Sequence, residues 1–182
     1  LLFPATAGCQ SRLQNGLKPY KILIASMNQS FLNRHFREFV ELLERKGVKY
    51  LLVGGYAVGF HGFPRYTGDL DVFIAIDPEN ANKILEVFEA FGFSDLKLTT
   101  NDFLEDDMVV EIGREPLKIQ ILTGIDGIQF DDAYIRKVYW TDQDLSIPFI
   151  GFEDLLKNKE STGRGRDKID VQELMKNRKQ KL

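Results

Sequence analysis

A chain of 182 residues, 43% of them hydrophobic, is long enough for one domain with a sizeable core and a small appendage. Its single cysteine, Cys9, excludes an internal disulfide and any thiolate metal cluster, and no apolar stretch approaches the ~18 residues of a membrane-crossing helix, so a cytoplasmic protein is expected. The net charge of −3 hides an asymmetry: residues 27–156 carry 12 Lys and Arg against 23 Asp and Glu, whereas residues 157–182 carry 9 against 4. An acidic body does not favour an extended nucleic-acid footprint, and the basic C-terminal segment suits local neutralisation of phosphate. The 14 Phe and 6 Tyr are spread along the chain and read as core filling rather than as a stacking platform.

Residues 1–26 are broken by Gly and Pro, contain no acidic residue, and are expected to be an upstream extension that adds nothing to function. The other reading makes them a strand or arm that packs on a neighbour. Met27 looks like the natural start of the domain, 27–182. Leu32, Phe36, Phe39, Val40 and Leu43 form one helix stripe, ended by Lys46-Gly47. Val48 to Gly54 reads as a strand, Tyr56 to His61 as a short helix, and Asp69 to Ile76 as a second strand. Asp77-Pro78-Glu79 opens a helix that Gly92 closes. Residues 98–104 read as a linker or short helix. Met108 to Ile112 and Leu117 to Leu122 form a hairpin turning over Gly113 to Pro116, with Ile112 expected opposite Leu117 and Glu111 opposite Lys118. A short helix (131–138), a short strand (147–150) and two helices (152–159 and 167–176) complete the chain. This order predicts an α/β (α+β) domain: a mixed sheet backed by helices, with Asp69 to Ile76 central and beside Tyr50 to Val53. Neither GxGxxG nor GxxxxGK[ST] occurs, which excludes the common dinucleotide and P-loop patterns.

Chemistry concentrates in residues 53–71. Asp69 and Asp71 lie two apart on a strand and therefore share a face. Two carboxylates so close repel, and their pKa values rise unless a cation sits between them; hard divalent ions accept such oxygen pairs. Gly54-Gly55, where strand gives way to helix, allows backbone N–H groups to approach an anion. Arg65 and Thr67 occupy the loop before the acids. His61 fits a hydrogen-bonding role that fixes this loop, and with His35 the only other histidine no zinc cluster is expected.

Gly54-Gly55, thirteen intervening residues and Asp69-Leu70-Asp71 resemble the signature of the nucleotidyltransferase superfamily that contains polymerase beta, and more narrowly its small bacterial AbiEii-like members. The resemblance runs from about Phe31 to Leu174. It implies that Gly54 and Gly55 hold a nucleoside triphosphate and that Asp69 and Asp71 bind the accompanying Mg²⁺ or Mn²⁺. It raises the expectation that Arg65, and more weakly Thr67, contacts the nucleotide. It also matches Lys159, Gly163, Arg164, Asp167 and Asp170 to a C-terminal block in which Lys159 and Arg164 meet phosphate while Asp167 and Asp170 orient them; a structural ion-pair network is the competing reading, and Arg166 with Asp170 an i,i+4 pair. The family's third catalytic carboxylate falls at Gln120, a departure from the pattern. An amide lends an oxygen to a metal but takes no proton at neutral pH. Glu111 is the candidate replacement, against a reading in which it is a solvated partner of Lys118.

The leading functional expectation is a Mg²⁺-dependent transfer of a nucleoside monophosphate from an NTP to a hydroxyl on a protein, RNA or small molecule. The alternatives are a catalytically degenerate nucleotide- or partner-binding member of the same fold, including one half of a toxin-antitoxin pair, and nucleotide hydrolysis at the same site.

Overall fold

The computed structural model describes residues 31–114, 117–142 and 144–180; the expectations for residues 1–26 lie outside them. Helix α1, Arg34–Lys46, buries Phe36, Phe39, Val40 and Leu43 of the expected stripe and Leu42 besides, Leu32 being buried just ahead of it, and Gly47 at φ 64° ends it in the left-handed region that glycine enters without a Cβ penalty. Strand β1, Tyr50–Leu52, is buried throughout. Helix α2, Gly54–Phe60, starts two residues earlier than expected, directly at the glycine pair. Strand β2 runs Asp69–Ile74.

Helix α3, Pro78–Phe91, follows its sequence signals closely. Asp77 Oδ1 accepts from the Asn80 N–H at 2.8 Å, proline fills the first turn, and Gly92 closes the helix at φ 98°. A 3₁₀ turn spans Thr100–Phe103. Strands β3, Val109–Arg114, and β4, Leu117–Leu122, then α4, Phe130–Ile135, lead to β5, Val138–Asp142, β6, Leu145–Phe149, α5, Phe152–Ser161, and α6, Gly165–Lys179.

The six strands form one mixed sheet in the order β3-β4-β2-β1-β6-β5. The expected pairing holds: β2 lies antiparallel to β1, with Leu51 opposite Phe73. On its other side β2 runs parallel to β4. Apart from Asp69 and Asp71 the two inner strands are apolar, and Tyr50, Leu51, Leu52, Leu70, Val72, Phe73 and Ile74 make the centre of the core. Phe39 of α1 meets Phe88 and Phe91 of α3, and Phe60 of α2 stacks on Phe149 of β6 at 4.5 Å.

Two expectations are corrected. The hairpin register is displaced: Arg114 lies opposite Leu117, Gly113 opposite Lys118, and Glu111 opposite Gln120 rather than Lys118. Because the displacement is two residues, Glu111 keeps the expected face. The helix expected over 131–138 stops at Ile135, and Val138–Asp142 is the outer strand β5. Its Val-Tyr-Trp-Thr run has the β-branched and aromatic character of a strand, but pairing with β6 rather than local preference decides it.

Asn80 joins α3 to the strand ends. Its Oδ1 accepts from the Lys49 N–H at 2.8 Å, and its Nδ2 donates to Lys49 O at 3.1 Å and Ala75 O at 3.0 Å. Asn80→Ala takes this partner from the Lys49 N–H and Ala75 O, while Lys49 O keeps the Ala75 N–H, and is expected to cost about 1–3 kcal/mol; Asn80→Asp, which loses both donors, should cost at least as much. Urea unfolding of both variants checks this, and a change under about 1 kcal/mol would count against the clamp.

Candidate active site

Asp69 opens β2 and Asp71 lies two residues inside it, so the pleat turns both side chains to one face. The end of β1 closes on them: the Val53 N–H donates to Asp71 O at 3.0 Å. Gly54 follows at φ 59°, and a Cβ there would stand 1.8 Å from Asp71 Oδ2. Glycine is therefore required twice, by the backbone angle and by the carboxylate against it. A Cβ on Gly55 would meet Thr67 Oγ1 at 2.6 Å. The glycine pair thus receives Asp71 and Thr67 closely, and the Gly55 N–H hydrogen-bonds the Asp71 carboxylate. The Thr67 hydroxyl donates to Asp69 O at 3.3 Å.

Burial, and then the neighbouring Asp69 charge, push the Asp71 carboxyl up to about 6; the Gly55 N–H and the charges of Lys159 and Arg65 act in the opposite direction but do not outweigh them. The place is thus short of positive charge. Two carboxylate oxygen donors on one face, one of them strained by desolvation and repulsion, fit a hard divalent cation.

Asp69 faces Lys118 and Asp71 faces Gln120 across the β2/β4 pair, and Glu111 faces Gln120 across the next pair. One lateral row therefore reads Glu111, Gln120, Asp71. Gln120 Nε2 donates to Glu111 Oε1 at 2.5 Å and Lys118 Nζ donates to the same oxygen at 3.1 Å; these two hydrogen bonds hold the Glu111 carboxyl below its usual value. Glu111 thus shares the face of the acid pair, with one strand between. Among the described residues no three Asp, Glu, His or Cys side chains converge as a metal cluster.

The cationic side is a buried network. Arg65 forks onto Asp170, Nε to Oδ1 and Nη2 to Oδ2, both at 2.8 Å. Lys159 Nζ donates to Asp167 Oδ1 at 2.5 Å and lies 3.6 Å from Asp170 Oδ2. The Thr162 hydroxyl donates to Asp167 Oδ2 at 2.6 Å. Burial alone would raise Asp167, but the bonds from Lys159 and Thr162 hold it below the usual carboxylate range. Asp167 and Asp170 therefore hold Lys159 and Arg65, whereas the sequence reading pairs them with Lys159 and Arg164; the contacts form a buried ion-pair network. Arg166 does not make the expected pair with Asp170; its Nη2 donates to Tyr66 O at 3.1 Å. Arg164 is exposed at the start of α6. His61 Nε2 donates to Ile150 O at 2.8 Å, and burial lowers its pKa, which suits the expected loop-fixing role. Asn177 adds a bond to Gly62 O at 2.8 Å. That contact and the Arg166 contact carry no sequence signal, because their partners lie at least 100 positions away.

A mixed sheet backed by helices, with a glycine pair facing an Asp-x-Asp strand, defines a nucleotidyltransferase-like fold. Residues 32–182 match the family described as nucleotidyl transferase of unknown function (DUF2204), and the chain belongs to that family. Among solved structures it resembles a candidate nucleotidyltransferase from Thermotoga maritima, with 15% identity, a TM-score of 0.52, and coverage of 90% of this chain and 98% of that one; at this identity the likeness is one of fold. No curated protein matches the chain.

Two outcomes follow from these charges. The raised Asp71 value means that the native state holds a proton there which the unfolded chain has already released. In chelator-treated buffer, parent stability should therefore fall as pH rises from about 4 to about 6 and stay lower above that. Asp71→Asn should match the parent near pH 4 and exceed it at pH 7.5 by roughly 3 kcal/mol; urea titrations at both pH values with no difference in the gap would refute this. Asp170→Ala leaves Arg65 without its buried partner, while Lys159 keeps Asp167, and is expected to cost about 3–5 kcal/mol, measured the same way at pH 7.5.

Proposed function

We propose that this chain transfers a nucleoside monophosphate from a nucleoside triphosphate to a hydroxyl acceptor, with a divalent cation, Mg²⁺ or Mn²⁺, held by Asp69 and Asp71. The observation that carries this reading is the Asp71 carboxylate, seated against Gly54 with its pKa raised to about 6 beside Asp69, a site that gains most from a bound cation. Such an ion neutralises the triphosphate and the charge that develops on the transferred group. The chain's own residues do the positioning. Gly54 and Gly55, lacking side chains, let the Asp71 carboxylate and Thr67 seat closely against the start of α2 and so fix the acid pair that meets the nucleotide. Arg65 and Lys159, fixed by Asp170 and Asp167, add positive field without moving, and Arg164 supplies an exposed guanidinium at the edge. The acceptor hydroxyl is that of a protein, an RNA or a small molecule.

Gln120, next to Asp71 in the row, favours a second reading: a member with reduced transfer activity that works as a nucleotide- or partner-binding module, such as one half of a toxin-antitoxin pair. Gln120 can lend its amide oxygen but cannot take the hydroxyl proton. Glu111, hydrogen-bonded to that amide, is the nearest carboxylate in the row able to receive it.

Asp69→Asn combined with Asp71→Asn should abolish cation-dependent NTP binding; equal Mg-NTP affinity in parent and variant by calorimetry would sink the metal role. Incorporation of labelled NTP into a bacterial lysate separates the two readings. If Glu111 serves as base, the parent labels and Glu111→Gln silences it. If transfer is degenerate, the parent labels little and Gln120→Asp raises incorporation by roughly 10²- to 10⁴-fold, the range of a restored general base. Strong parent labelling that ignores both changes would mean that neither residue holds the third position.

A further inference from the structure

Aromatic residues of this chain were expected to fill the core; among the described residues the rest are buried or partly so, and two, Tyr66 and Tyr139, are exposed, Tyr66 the more so. It is 78% exposed, and no aromatic ring among the described residues packs on it. Yet its backbone is among the best anchored in the loop before Asp69. Its carbonyl accepts from Arg166 Nη2 at 3.1 Å and from Arg65 Nη1 at 3.5 Å, and Arg65 is itself forked onto the buried Asp170. The backbone beneath this exposed side chain is thus tied to α6, directly through Arg166 and through Arg65 and Asp170, which lowers the ordering cost of binding to it.

Its surroundings indicate what it receives. Tyr66 stands three residues before Asp69, no more than ~10 Å along the chain, and the Thr67 bond to Asp69 O keeps that stretch short. Arg164, Arg166 and Lys168 are exposed at the start of α6, and the Arg166 contact brings that basic edge to Tyr66. An exposed aromatic face beside solvent-exposed positive charge, on a chain whose body is otherwise acidic, is complementary to a nucleobase with phosphates attached rather than to an apolar surface.

We propose that Tyr66 is the base-stacking residue of the nucleotide site. The ring receives the base of the nucleoside triphosphate while its phosphates lie toward Asp69, Asp71 and the basic start of α6. This rests on the functional reading above and extends it to how the nucleoside end is held. Because every base has a π-face, the platform accepts more than one NTP.

Inorganic tripolyphosphate carries the charge of the substrate and no base, which makes it the decisive probe. Calorimetry on the full chain in Mg²⁺ would compare the four NTPs, tripolyphosphate and a short oligoribonucleotide, for the parent, Tyr66→Ala, Tyr66→Phe and Tyr139→Ala. Tyr139 is a second exposed tyrosine, on β5 at the far end of the sheet. Tyr66→Ala should raise Kd for the NTPs by about 5- to 100-fold and leave tripolyphosphate within about twofold. Tyr66→Phe, which keeps the π-face, should stay near the parent, and Tyr139→Ala should change nothing. Equal weakening of NTP and tripolyphosphate, or an unchanged NTP affinity, overturns the proposal. So does an effect confined to the oligoribonucleotide, which would move the stacking to the acceptor. A parent that binds tripolyphosphate and NTPs equally well overturns base stacking alone. A parent that binds neither removes the nucleotidyltransferase reading and this inference with it.

Discussion

The constraint from which the rest of the site follows is a carboxylate that the fold buries beside another carboxylate. Asp71 is followed in its strand by apolar residues alone and preceded by Asp69, and desolvation and Asp69 both disfavour its charged form. The chain answers with small local terms: a backbone N–H from Gly55 and the field of two cations, with Gly54 leaving the room the carboxylate needs. These soften the penalty without cancelling it. What remains is a standing demand for positive charge at one point of the sheet, and a charged ligand can supply it.

A second consequence concerns the C-terminal helices. The buried residues of α6 are Asp167, Asp170 and Leu174, so this helix is seated largely by carboxylates rather than by an apolar stripe. Asp170 reaches Arg65 and Asp167 reaches Lys159, while Arg166 and Asn177 hold the backbone of the 61–68 loop. Buried ion pairs add little net stability compared with apolar packing, but they are intolerant of losing one member. Their value here is geometric. They fix two cations and the loop carrying Tyr66 at set places around the acid pair, and the exposed basic side chains at the start of α6 add to that field at the edge.

The row Glu111, Gln120, Asp71 frames the chemical question in the same terms. Strand pairing puts an amide beside the buried carboxylate and a carboxylate one strand further out. An amide in the middle removes a third negative charge from a place that already holds two, which stabilises the empty site. It also removes the group best able to take a proton there. Stability and proton transfer pull in opposite directions at this one position.

Much of this was legible in the sequence. The order strand, glycine pair, short helix, loop and Asp-x-Asp strand is local, and period-two pleating alone brings Asp69 and Asp71 to one face. The bounds of α3 follow from Asp77, Pro78 and Gly92, whose effects act within a turn. The shared face of Glu111 and Gln120 also emerged, since a two-residue displacement preserves parity, although the register itself did not. What only tertiary structure decided were matters of long-range pairing: β5, which needs β6 to become a strand; the partner of Arg166, which is Tyr66 and not Asp170; and the exposure of Tyr66 among buried aromatics. Gly54 shows the division most plainly. The sequence marks it as a place where backbone can come close to an anion, and the fold alone reveals that the nearest one is the protein's own Asp71, because only the pairing of β1 with β2 brings residues seventeen apart into contact.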